Sequence, residues 1–257
     1  MKKYVFILGM LIISETNLFS QNRISDHNKI GWGGIFTTTK FNDHWSWHAE
    51  FQCRRVDGIA TPQQNLFRTG INYQPNKKIL FRLGYTNAET FPYGEYPLNS
   101  MGKKYSDNRI FEIVSISDKL NHFDLTHRFM LEQRFVGKYS SASLTKEDEH
   151  IFVNRIRYMF RIQLPLQKKI TLNHVPYVAM YDEIFIGFGK NVGENVFDQN
   201  RFGLLFGYKF NDLIKIETGY LSQIVQLGRE INNKNVFQYN GGLLLNTIWG
   251  FDLRKLK

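Results

Sequence analysis

The chain lacks most of what usually staples or arms a protein. One cysteine, Cys53, among 257 residues excludes an intramolecular disulfide framework and any cysteine-based zinc cluster. Phe51 and Arg55 share its strand face, which predicts a buried or lipid-facing thiol and not a nucleophile. Long hydrophobic runs are missing too: past the N-terminus no window holds the roughly 18 consecutive apolar residues that a membrane helix needs. Helical periodicity is nearly absent. His44, His48 and His122 are scattered over turns and a strand, and the glycines of "GFGKNVGEN" lead into no helix, so neither a metal nor a cofactor is expected. Acidic residues are the scarcer charge, 23 Asp+Glu against 33 Lys+Arg. A basic excess of this size suits anionic surroundings, whether nucleic acid, lipid head groups or lipopolysaccharide.

What is present begins with "MKKYVFILGMLIISETNLFSQ". Lys2 and Lys3 precede an apolar run from Tyr4 to Ile13 and a polar stretch leading to Ser20, which predicts a secretory signal peptide over residues 1–20 and a single domain over 21–257. The run is too short for a stable membrane helix, and no cysteine follows to carry a lipid. Export disfavours nucleic acid as a partner.

Strand-like segments then follow one another at 28–40, 45–57, 64–75, 79–89, 108–118, 123–136, 151–164, 170–186, 200–210, 213–225 and 235–249. Several reach the ~9–11 residues of a tilted membrane-spanning strand. Short connections ("NDH", "PNKK", "DKLNH", "PLQKK", "ND") alternate with long ones ("TFPYGEYPLNSMGKKYSDN", "GKYSSASLTKEDEH", "NVGENVFDQ"). Short turns at one end and long loops at the other predict an all-β, up-and-down antiparallel transmembrane barrel of about ten to twelve strands, with the short turns periplasmic. Bacterial barrels usually have an even strand number, so eleven segments predict one misdrawn or split, most readily at 170–190.

The faces of these strands differ sharply. In "RFGLLFGYKF", Phe202, Leu204, Phe206, Tyr208 and Phe210 oppose Arg201, Gly203, Leu205, Gly207 and Lys209; in 64–75, Phe67, Thr69, Ile71 and Tyr73 oppose Arg68, Gly70 and Asn72. The turn after that strand predicts Tyr73 opposite Ile79. Glycines gather on the charged face, where a crowded interior would need them, and aromatic residues such as Trp45, Tyr73, Tyr208 and Phe210 lie at strand ends on the apolar face. The apolar face therefore belongs in lipid and the charged face in the lumen. On this reading Phe206 meets acyl chains and Leu205 a polar interior.

The motifs "WHAEFQCRR", "FRTGINY", "LEQRF", "RIRYMFR", "YDEIF" and "FDQNR" occur in that order. With them the chain resembles, over most of its length after the signal segment, the outer-membrane barrel family known as domain of unknown function 2490. The resemblance implies a closed barrel exported to the outer membrane, with outer-membrane lipids, lipopolysaccharide and the barrel-assembly machinery as partners. It brings no catalytic residues.

By strand parity the lumen would hold Glu50, Arg54, Arg68, Arg82, Arg128, Glu132, Arg134, Arg155, Arg157, Arg161, Glu183, Arg201, Lys215 and Glu217. Paired, these charges would form a salt-bridge plug in place of an apolar core; wet and net-basic, they would pass anionic solutes. A different class of activity is also legible. Ser115 across the "DKLNH" turn from His127, with Asn154 one strand on, would make a lipid-acyl hydrolase trio on the outer face.

Overall fold

Alternating sequence becomes alternating structure because successive side chains of a strand point to opposite faces. In the computed structural model, which describes residues 23–167 and 173–256, eleven strands form one closed sheet. They are β1 (Arg23–Lys40), β2 (Trp45–Val56), β3 (Thr61–Tyr73), β4 (Ile79–Thr90), β5 (Tyr105–Leu120), β6 (Phe123–Lys138), β7 (Glu149–Pro165), β8 (Val175–Phe188), β9 (Phe197–Lys209), β10 (Ile214–Ile231) and β11 (Lys234–Asp252). The expected signal peptide, residues 1–20, lies outside the described residues.

Each strand pairs antiparallel with the next, but β1 and β11 close the barrel as a parallel pair, in unbroken register from Arg23 opposite Asn235 to Lys40 opposite Asp252. An odd strand number requires this, since the first and last of eleven alternating strands run the same way. The expectation of an even count is thus corrected. The 170–190 region is not split: its described part carries one strand, β8. One register expectation also fails, for Tyr73 lies opposite Phe81 and not Ile79. Ile79 and Leu80 pair with β5 before β4 begins to pair with β3.

The strands are strongly tilted. A row of paired residues that leaves β1 at Lys40 passes through Ser46, Asn72, Arg82, Ile113, Met130, Arg157, Phe185, Gln199, Val225 and Gln238, and returns to β1 at Asp26. Closure with this stagger is what a barrel requires.

Burial settles which face is inside. Glu50, Arg68, Glu132, Arg155, Arg157 and Glu183 are buried, while Phe51, Phe67, Leu83, Phe129, Leu204 and Phe206 are exposed on the outer surface. Two interior glycines of β9 show how tightly the inside is filled. Gly203 and Gly207 lie opposite Tyr181 and Tyr177 of β8, and a Cβ at either would fall within the facing tyrosine ring.

The outer surface is apolar toward the short-turn end, where Trp45 packs on Tyr73 and Tyr208 on Phe210. Toward the long-loop end outward positions become polar on strand after strand: Asn65, Asn87, Asn108, Gln133, Asn154 and Asn200. Several bond one another, as Asn87 and Tyr85 do in donating to Asn108 at 2.8 and 2.5 Å. Two carboxylates, Glu112 and Asp182, point outward among apolar neighbours and accept from the amides of Gln133 and Asn200 at 3.2 and 2.9 Å.

Candidate functional site

The interior has two sectors. Ile30, Trp32, Ala179, Leu205, Leu221 and Leu244 form an apolar wall along β1 and β8–β11. Leu205 therefore sits in an apolar patch, not in the polar surroundings its parity suggests, because its direct partner on β10 is Gly219 and it packs in one cluster with Leu221 and Leu244. The charges are carried mainly by β2–β8, with Asp198 and Arg201 of β9 and Glu217 of β10, and their arrangement is a network.

At its centre Glu132, fully buried, receives Arg155 at 2.6 Å, Arg157 at 3.1 Å and Arg109 at 3.4 Å. From there it branches. Arg157 continues to Glu183 at 2.7 Å, which Arg128 reaches at 2.8 Å; Arg155 continues to Asp198 at 2.5 Å; Arg109 continues to Asp107 at 2.7 Å, which Arg134 shares at 2.6 Å. Two smaller clusters stand beside it. Glu50 joins Arg68 at 2.7 Å and His48 at 3.1 Å, and Glu217 joins Arg161 at 2.5 Å and the Tyr177 hydroxyl at 2.8 Å. The geometry follows from cross-strand register, since Glu132 is paired with Arg155 and Glu50 with Arg68. Charges removed from water are tolerable when each is paired and hydrogen-bonded, and removal of one partner leaves the others exposed to the full desolvation cost. Aromatic rings complete the packing: the guanidinium carbons of Arg155, Arg157 and Arg201 lie 5.1, 4.2 and 4.6 Å from the Phe185 ring centre.

Above this network, toward the long loops, lies a chamber of about 530 Å³. Arg54, Arg109, Arg134, Arg155 and Arg201 contribute to its lining, with Gln63, Gln64, Gln199 and Gln223 and the rings of Trp32, Tyr93, Tyr105 and Tyr139. Residues 91–104 cover part of its mouth. Arg229 donates to the carbonyls of Pro97 and Leu98 at 2.7 and 2.9 Å, Gln238 donates to Tyr96 at 2.9 Å, and Tyr93 is buried against the apolar wall.

All thirteen arginines and glutamates expected in the lumen face the interior, though not equally. Arg82 donates to Asn72 at 2.6 Å, and Arg82, Arg161 and Lys215 are only partly buried, toward the short turns, as is Arg128 at the edge of the network. Sequence reasoning missed Asp107, Arg109 and Asp198 and left His48 unpartnered. On the sequence alone Asp107 and Asp198 fall in loops, because the strands continue beyond the apolar band, where Asn108 and Asn200 face outward and alternation fades.

The Ser115, His127 and Asn154 trio is not assembled. Ser115 pairs with Arg128, and His127 with Ile116 and Phe160, so serine and histidine occupy opposite faces of the sheet. His127 instead bonds the Tyr158 hydroxyl at 2.8 Å. Asn154 pairs with Gln133, six residues along β6 from His127, or roughly 20 Å at the rise of a strand. Cys53 lies on the outer face, half-buried. Among the described residues no group of three or more His, Cys, Asp or Glu could hold a metal ion.

A search among curated proteins found no match. A family model does match, over residues 30–235, from within β1 to the start of β11 and so across the strands that carry the network, and by that match the chain belongs to the family described as "Protein of unknown function (DUF2490)".

Proposed function

We propose that this is an integral outer-membrane barrel whose own ion-pair network closes it at mid-height, leaving a cationic chamber that faces the long-loop end. The observation that carries the reading is Glu132, without exposed surface and bound by three arginines from the two adjacent strands. A water-filled passage would leave such groups hydrated. The membrane setting is supported by the exposed aromatic and aliphatic outer surface and by the polar positions that bound it toward the long loops. A soluble barrel would be expected to place these faces the other way round.

The test is conductance in planar bilayers. The reconstituted protein is expected to give no sustained steps, whereas Glu132→Ala, if it still folds, opens an anion-preferring leak as Arg109, Arg155 and Arg157 become hydrated. Steady anion-selective conductance of the unaltered protein would replace this reading with that of a solute-passing barrel.

A further inference from the structure

Two arginines of the chamber wall close no ion pair among the described residues. Arg54, 6% exposed, donates to Gln52 at 3.2 and 2.7 Å and to Gln64 at 2.6 Å. Among the described residues Arg201 donates to Gln199 alone, at 3.2 and 2.9 Å. Neither has a carboxylate within 4.0 Å among the described residues. Their guanidinium carbons nevertheless lie 4.0 and 5.0 Å from the centre of one indole ring, that of Trp32. Two like charges are thus gathered about one ring in a wall largely shielded from water, where their repulsion is strongest.

The carboxylates nearby are bonded elsewhere: Glu183, directly opposite Arg201 across β8 and β9, is held by Arg128 and Arg157, Asp107 by Arg109 and Arg134, Asp198 by Arg155, and Glu132 by its three arginines. Beside Arg54 and Arg201 stand glutamine amides, which orient a guanidinium without neutralising it. A guanidinium has five N–H donors. These bonds leave N–H groups of both arginines available to a ligand. The chamber they line has about 530 Å³, within the roughly 300–1,000 Å³ usual for small-molecule sites.

We propose that Arg54 and Arg201, over Trp32, form an oxyanion site that takes the carboxylate or phosphate head of a small organic anion entering from the long-loop end. Tyr93, Tyr105 and Tyr139 offer the ligand's body an aromatic surface. Bidentate bonding from two guanidiniums supplies both the neutralising charge and the orientation. The site rests on the chamber of the reading above but not on its membrane setting, so a binding experiment in detergent and the conductance experiment fail independently.

Refolded protein in detergent micelles is titrated calorimetrically with inorganic phosphate, benzoate and, as the uncharged counterpart, benzamide. Phosphate or benzoate is expected to bind one per chain and benzamide not; binding of phosphate alone assigns a phosphate head, and of benzoate alone a carboxylate with an aromatic body. Arg54→Gln and Arg201→Gln should each weaken binding at least tenfold. Because Arg201 closes no ion pair, Arg201→Gln without ligand should keep the unfolding midpoint of the unaltered protein or exceed it, and the bound anion should raise only the latter's midpoint. If Arg54→Gln fails to fold, the half-buried Arg201 carries the test. Absence of binding by both anions at millimolar concentration overturns the proposal, as does equal binding of benzamide, binding indifferent to Arg201→Gln, or collapse of Arg201→Gln alone.

Discussion

Leu205 and Phe206 are sequence neighbours in opposite environments. Phe206 is half exposed on the outer surface, and Leu205 is 2% exposed in the apolar wall beside Trp32, Leu221 and Leu244. Phe206→Arg should cost about 2–4 kcal/mol in a bilayer if that position lies near the midplane. Leu205→Arg introduces an unpaired charge into packed leucines, and its cost should be about 3–5 kcal/mol in bilayer and micelle alike. Urea titration in both media checks the contrast; a Leu205→Arg protein as stable as the parent would mean that the interior wall is wet. Glu132 gives the complementary case on the ionic side. Glu132→Gln keeps the shape but strips the charge shared by Arg109, Arg155 and Arg157, and the loss expected is again about 3–5 kcal/mol, read as a lower urea midpoint. A midpoint unchanged by Glu132→Gln would show the network to be solvated.

At the scale of elements the unusual feature is the parallel seam. Parallel ladders have slanted hydrogen bonds and are slightly less stable per residue than antiparallel ones, yet β1 and β11 are among the longest strands and pair along eighteen residues of β1. Length offsets the weaker geometry. The register makes a direct prediction: in a Cys53→Ser background, Ile35→Cys with Thr247→Cys should oxidise to a cross-link, because these residues are directly paired and face outward. Thr39→Cys with Leu243→Cys should not, being eight positions apart in this register. The reverse result on gels would require another closure. The 91–104 segment is a second element with a defined role. Arg229 is one of its anchors, so Arg229→Ala should raise amide exchange and proteolysis at residues 93–98 while the strands stay protected.

For the whole molecule, the inversion of faces is the main physical statement. A soluble barrel of this pattern would bury such residues as Phe51, Phe67 and Phe206 and expose Arg68, Arg155 and Arg157; here the arrangement is reversed. Such a molecule is stable only if something apolar covers the outside, and on the proposed reading a lipid bilayer would do so around the full circumference. Fractionation of cells is therefore expected to recover the chain with the outer membrane, and unheated protein in detergent should migrate differently from boiled protein as the closed barrel opens. Recovery in the soluble periplasmic fraction would end that reading.

Period-two alternation, the spacing of short and long connections, and the placing of glycine on the charged face pointed to a barrel of about ten to twelve strands and to the side on which the arginines lie, but not to an odd count of eleven. These are local properties, since a strand's two faces are fixed by the pleat before any partner is chosen. Partners are not local. That Glu132 gathers Arg109, Arg155 and Arg157, that Asp107 and Asp198 belong to strands, and that Ser115 and His127 stand on opposite faces all depend on register across the sheet. The leucine wall that surrounds Leu205 and the unpaired Arg54 and Arg201 around Trp32 depend further on contacts across the interior, between strands far apart in the chain. Sequence determined which residues face inward; only closure of the barrel, with its stagger and its parallel seam, decided which of them meet.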